Sequence, residues 1–222
     1  MTHTFDDQYW DQIWSGERAA AMATSDPNPY LAAEVSTLAP GTALDAGCGA
    51  GGEAIWLASH GWQVTGADIA AAALAHAAER ADAGGLAEQV TWVQADLSIW
   101  EPGTRFDLVT THYAHPAMPQ LEFYDRIASW VAPGGTLLIV GHLHHEGTSG
   151  HGHGHRHGHA HGPSNDQTED GPPAEASATA AAITARLDPA HWLVVTAEET
   201  HRTVPAHGNT LHDVVVRATR RS

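Results

Sequence analysis

The chain has one cysteine, Cys48, and no lysine at all. A single thiol excludes an internal disulfide framework and any zinc or redox pair of the CxxC kind. Without lysine, ten arginines face twenty-six aspartates and glutamates, for a formal charge of −16. A field of that sign repels phosphate backbones, so nucleic acid is not expected as a partner. Long apolar runs are lacking as well. Stretches such as residues 137–140 fall far short of the ~20 residues a bilayer-spanning helix needs. Residues 1–7 have neither the basic nor the apolar region of a secretory leader. The expectation is a soluble, cytoplasmic protein that does not engage a membrane. What is present suffices for a core: 222 residues, 42% of them hydrophobic, suit one domain.

Short apolar runs alternate with alanine-rich stretches. Residues 43–44, 62–67, 90–95, 106–111 and 136–140 read as strands. Residues 53–60, 71–83 and 121–131 read as helices, with Gly61 and the Gly84-Gly85 pair as stops. Pro133-Gly134-Gly135 reads as a turn. Further on, 174–187 reads as a helix broken at Asp188-Pro189, and 192–200 and 211–218 as strands joined by a hairpin loop at 206–209. This order predicts an α/β, Rossmann-like, doubly wound fold. Its seven-stranded sheet is mostly parallel, with a C-terminal antiparallel pair added at the edge. The whole of 1–222 is expected to form one domain, with 1–40 as an N-terminal lid segment and 146–173 as a flexible, histidine-rich insertion.

The sharpest local signal is Leu44-Asp45-Ala46-Gly47-Cys48-Gly49-Ala50-Gly51-Gly52. Gly47, Gly49 and Gly52 have GxGxxG spacing between a strand and a helix, where the backbone must turn tightly and approach a ligand. Asp68 closes the second strand, where a ribose diol is gripped in such folds, and Asp96 closes the third. Turn chemistry accounts for single Gly and Asp residues but not for the set. A nicotinamide cofactor is disfavoured, because Asp45 would set a carboxylate near its pyrophosphate. A cation without phosphate meets no such penalty. S-adenosylmethionine (SAM), which carries a sulfonium, an ammonium and a ribose, is such a ligand.

Leu44-Asp45-Ala46-Gly47-Cys48-Gly49 resembles motif I of the class I SAM-dependent methyltransferases. Gly66-Ala67-Asp68, Gln94-Ala95-Asp96, Phe106-Asp107-Leu108-Val109 and Pro133-Gly134-Gly135-Thr136 are similar, in order, to the later motifs of that superfamily. Within it, Tyr9-Trp10-Asp11, Trp14-Ser15-Gly16, Asn28-Pro29, Trp56-Leu57-Ala58 and Gly61-Trp62 resemble the thiopurine S-methyltransferase and tellurite-resistance branch. The resemblance implies that Asp45, Gly47, Cys48 and Gly49 line the methionine moiety of SAM. Asp68, with Ile69 beside it, would hold the ribose, and Asp96 with Leu97 would border the adenine. Thr111 and His112 would border the methyl-transfer face, under a lid carrying Trp10 and Trp14. One departure is visible: Ile69-Ala70 stands where the family often has a serine, which removes a helix N-cap.

The resemblance implies a small-molecule acceptor, a thiol or chalcogen compound, and such a soft nucleophile would need little help from a base. His112, Tyr113 and His115 follow the fourth strand and are the candidate catalytic groups, to position the acceptor or take its proton. The alternative is that they are loop residues satisfied by water or backbone. With Cys48 alone, multi-thiolate capture of arsenic or mercury is excluded.

Nine of the eighteen histidines lie between 142 and 161. His151, His153, His155, His157, His159 and His161 occupy every second position, so an extended chain would present all six on one side. Imidazoles at that density suit nickel, zinc or cobalt. This leaves an alternative function, a methyltransferase-like metal sensor or buffer, and a bland one, a drifting low-complexity segment.

Overall fold

The computed structural model describes residues 7–15, 26–143, 177–203 and 210–222. The first five strands are β1 (Thr42–Ala46), β2 (Gln63–Asp68), β3 (Val90–Gln94), β4 (Phe106–His112) and β5 (Val131–His142). β6 (Trp192–Thr203) and β7 (Thr210–Arg220) complete one seven-stranded sheet in the order β3-β2-β1-β4-β5-β7-β6. β1 to β5 pair in parallel. β7 runs against both its neighbours. The C-terminal hairpin thus extends the β5 edge of the parallel strands as an antiparallel pair. The chain lays β6 on the outside and returns to insert β7 beside β5.

Alternation along the strands explains how both faces are covered. Ala43, Leu108, Leu138, Val140 and Val215 belong to one buried cluster, with Leu31, Val35, Leu57 and Trp62. Their neighbours Leu44, Val109, Leu137, Ile139, Val214 and Val216 belong to another, with Phe123, Tyr124, Ile127 and Ile183. A period of two that is apolar on both phases is what a doubly covered sheet requires. The covering helices are α1 (Asp7–Ser15), α2 (Pro29–Val35), α3 (Gly52–Ser59), α4 (Ala71–Ala83), α5 (Gln120–Ser129) and α6 (Ala180–Thr184). Asn28 caps α2, its Oδ1 accepting from the Tyr30 amide at 3.0 Å, while Pro29 at the first position needs no partner for the N–H it lacks. Leu31 and Val35, within the expected 1–40 lid segment, are core residues.

Three local expectations are corrected. Pro133-Gly134-Gly135 is not a free turn but lies inside β5. The pairing passes from Phe106↔Val131 to Leu108↔Thr136, so the three residues are taken up as an irregularity of the β4–β5 ladder. The helix expected over 174–187 is, among the described residues, only Ala180–Thr184. Thr179 caps it, its Oγ1 accepting from the Ala182 amide at 3.1 Å. Strand ends shift by a residue or two, and β6 runs on to Thr203. The hairpin loop at 206–209 and the insertion at 146–173 lie outside the described residues. Among those described, no helix is long and apolar enough to cross a membrane.

Candidate active site

A cavity of about 290 Å³ opens at the carboxyl ends of β1 to β4. Its floor is the loop from β1 to α3. Gly47 has φ +80°, and a Cβ there would fall 2.3 Å from the Ala114 Cβ. Gly49 has φ +50°, and a Cβ there would meet the Trp14 ring at 2.9 Å. Both positions thus need glycine for conformation and for space. The loop is pinned from β2: the Gly47 and Cys48 amides donate to the Ala67 carbonyl at 2.8 and 3.1 Å. The Gly49 amide donates to Asp68 Oδ2 at 2.8 Å. Asp68 Oδ1 accepts from the Ala70 amide at 2.9 Å. Burial raises the Asp68 pKa, and these amides pull it back.

Trp10, Trp14, Gly47, Cys48, Gly49, Asp68, Ile69, Asp96, Leu97 and His112 all line the cavity, as do Tyr113 and His115. Two residues expected there do not. Asp45 is 1% exposed and sits behind the loop, with Oδ2 buried and unpartnered. Its pKa lies well above the usual carboxylate range, through burial first and then the nearby Glu53 and Asp68 charges. Thr111 turns into the core, its Oγ1 donating to the Ala46 carbonyl at 2.8 Å. The structure adds Asp26, Glu53 and Arg80 to the lining. Glu53 lies in the first turn of α3 and accepts from the Asn28 amide at 2.9 Å. Its place directly after the glycines, where a helix N-terminus favours an acid, was the available signal. Arg80 donates to the Ala50 carbonyl at 2.9 Å from α4, a contact that local sequence does not reveal.

Four carboxylates (Asp26, Glu53, Asp68 and Asp96) thus face one guanidinium around the cavity. That balance suits a cation. The glycine cradle and a helix-borne acid fit a ligand whose charge is a sulfonium and an ammonium.

The other wall carries the histidines. His112 Nε2 is buried with no hydrogen-bond partner, and burial holds its pKa below the ordinary value. His115 is lowered for the same reason, with Nδ1 3.3 Å from Gln120 Oε1. His142 stands behind them, its ring stacked on Tyr113 at 4.0 Å. Burial, His115 and Arg202 push it down to about 4. The unfolded chain therefore takes up a proton near pH 6.5 that the folded chain refuses until about pH 4. This part of the stability is full above pH 6.5 and is lost as pH falls toward 4, a change of order 3 kcal/mol. Thermal melts from pH 7 to pH 4 should fall less steeply for His142→Gln than for the wild type. Parallel slopes would contradict this.

The six alternating histidines, His151 to His161, lie outside the described residues. Among those described, no group of three or more His, Cys, Asp or Glu side chains is placed to hold a metal ion.

Residues 43–135 match the family model described as a methyltransferase domain. Over that stretch the chain is similar to known methyltransferases. Among its relatives, thiocyanate methyltransferase 1 of Brassica oleracea is 31% identical over 110 residues, 49% of this chain and 49% of that one. Ribosomal RNA small subunit methyltransferase C of Alcanivorax borkumensis is 45% identical over 73 residues, 33% of this chain and 22% of its own length. The matched stretches span from 22% to 59% of the lengths of the curated relatives. In fold, the N-methyltransferase NodS from Bradyrhizobium japonicum, solved with S-adenosyl-L-homocysteine, superposes with a TM-score of 0.65. The two are 16% identical, with 97% of this chain and 98% of that one covered.

Proposed function

We propose that this protein is a SAM-dependent methyltransferase that transfers a methyl group to a small-molecule acceptor, a thiol or a related chalcogen compound. The observation that carries the reading is the cavity itself. A carboxylate-lined glycine cradle meets a wall where a neutral imidazole, His112, keeps an unpartnered nitrogen. Bound SAM supplies an activated methyl group on its sulfonium. Gly47 and Gly49 admit the methionine portion, Asp68 holds the ribose hydroxyls, and Asp96 with Leu97 borders the adenine. Trp10 and Trp14 exclude water from above. His112 Nε2 takes the proton of an S–H acceptor, and Tyr113 and His115 set the acceptor's direction of approach.

Relatives described as thiol and thiocyanate methyltransferases support a sulfur acceptor. An anion such as thiocyanate fits less well than a neutral thiol, because the lining is already negative. The charge of −16 opposes a nucleic-acid acceptor.

A second, separable proposal rests on the alternating histidines 151–161: they bind nickel, zinc or cobalt, and turnover does not depend on that metal. One experiment tests both. Metal-stripped protein is given SAM and a panel of thiols, selenite and tellurite, and S-adenosylhomocysteine (SAH) is measured. Acceptor-dependent SAH release is expected, unchanged by chelator. If no acceptor promotes release from protein that binds SAH, the reading fails. Release that requires added nickel would transfer the histidine segment from bystander to participant.

A further inference from the structure

Tyr113 has φ 58° and is the one non-glycine residue among those described with a positive φ. A bulky aromatic side chain in the left-handed region is strained, and such strain persists only where the surroundings over-determine it. Here they do. The Tyr113 amide donates to the Val140 carbonyl at 2.9 Å, and the ring stacks on His142. From β6, 89 residues away, Arg202 Nη2 donates to the phenol oxygen at 3.0 Å. The same guanidinium lies 5.8 Å from the Tyr113 ring centroid. Arg202 is itself aimed by β7: its Nε donates to Asp213 Oδ2 at 2.7 Å, and the Asp213 side chain is fully buried. Arg202 does not line the cavity, whereas Tyr113 does.

We propose that Arg202 is a positioning residue that sets acceptor specificity through Tyr113. Asp213 fixes the guanidinium, the guanidinium fixes the phenol, and the phenol holds a strained backbone so that the Tyr113 ring forms the wall between His112 and His115. The fork is what allows this, since one planar group bonds a carboxylate and a hydroxyl at the same time. Lysine, a point donor on a flexible stem, cannot hold both in one geometry. The proposal rests on the methyl-transfer reading for its consequence but not for its structural content.

The test therefore has two arms. In crystal structures of Arg202→Ala and Arg202→Lys, Tyr113 should leave the left-handed region and its ring should shift. In kinetics, the acceptor KM should rise about tenfold or more, with SAH affinity within about twofold of wild type. Tyr113→Phe should raise KM in the same direction, and adding it to Arg202→Ala should change little further, as expected of two residues acting as one unit. Arg202→Lys keeps the charge beside buried Asp213 and serves where the alanine variant does not fold. If Tyr113 keeps its φ and ring position in the lysine variant, the proposal is overturned whatever the acceptor. A displaced ring with unchanged KM overturns it too. A displaced ring in an enzyme whose wild type methylates nothing upholds the positioning role and removes the methyl-transfer reading.

Discussion

Asp68→Ala loses cofactor binding by about two orders of magnitude, read as the Kd for SAH by calorimetry. The carboxylate has two tasks, and both fail together. It accepts the Gly49 and Ala70 amides, so it shapes the loop, and it is the group proposed to hold the ribose hydroxyls. Hydrogen bonds to a charged group contribute about 1.5–3 kcal/mol each, and two of them convert to roughly 10²-fold or more. Asp68→Asn keeps one acceptor oxygen and should fall between the variant and the wild type. A folded Asp68→Ala protein that binds SAH within threefold of wild type would remove Asp68 from the cofactor site and with it the assignment of the cavity.

His112→Ala should leave that same affinity within about twofold and lower kcat roughly 10- to 30-fold at pH 7, because only about 3% of a thiol of pKa about 8.5 is ionised there without a base. The pH profile separates this from mere misplacement. Burial lowers the His112 pKa, so the imidazole stays neutral, and able to accept a proton, to below its ordinary 6.5. The wild-type acid limb should accordingly lie below pH 6.5, with activity lost as the ring protonates. A thiol of pKa about 8.5 ionises on its own as pH rises, so the deficit of the variant should shrink toward pH 9. A deficit that stays constant from pH 6 to 9 would assign His112 to packing, and an unchanged kcat would end its role altogether.

Much of this site could be read in the sequence because strand ends and glycines are local signals. Gly47, Gly49, Asp68 and Asp96 stand where a parallel sheet presents its carboxyl edge, and they line the cavity. Position along a strand does not settle which way a side chain points. Thr111 shares its phase with Val109, which belongs to the buried cluster under α5, and so turns away from the cavity. Asp45 shares the phase of Ala43 on the opposite face and is buried beneath the start of α3. Arg80 and Asp26 reach the cavity from a helix and from the approach to α2, by tertiary contact that no motif announces. Strand order is likewise non-local. The two C-terminal strands were legible as a pair, but which of them would meet β5 depends on burial of Val214, Val215 and Val216, none more than 2% exposed. Those valines suit an interior strand. β6 instead carries Leu193, Val194 and Val195 in the open, as an outer strand can.

That inverted order of the last two strands has a consequence for the nascent chain. Synthesis is vectorial, and β6 emerges from the ribosome before β7, the strand it pairs with among the described residues. β1 to β5, with the glycine cradle and its acids, all precede them in the chain. Arg202 cannot take hold of Tyr113 until β7 has brought Asp213 alongside. The residues of the cradle thus precede in synthesis the strand that completes the surroundings of Tyr113.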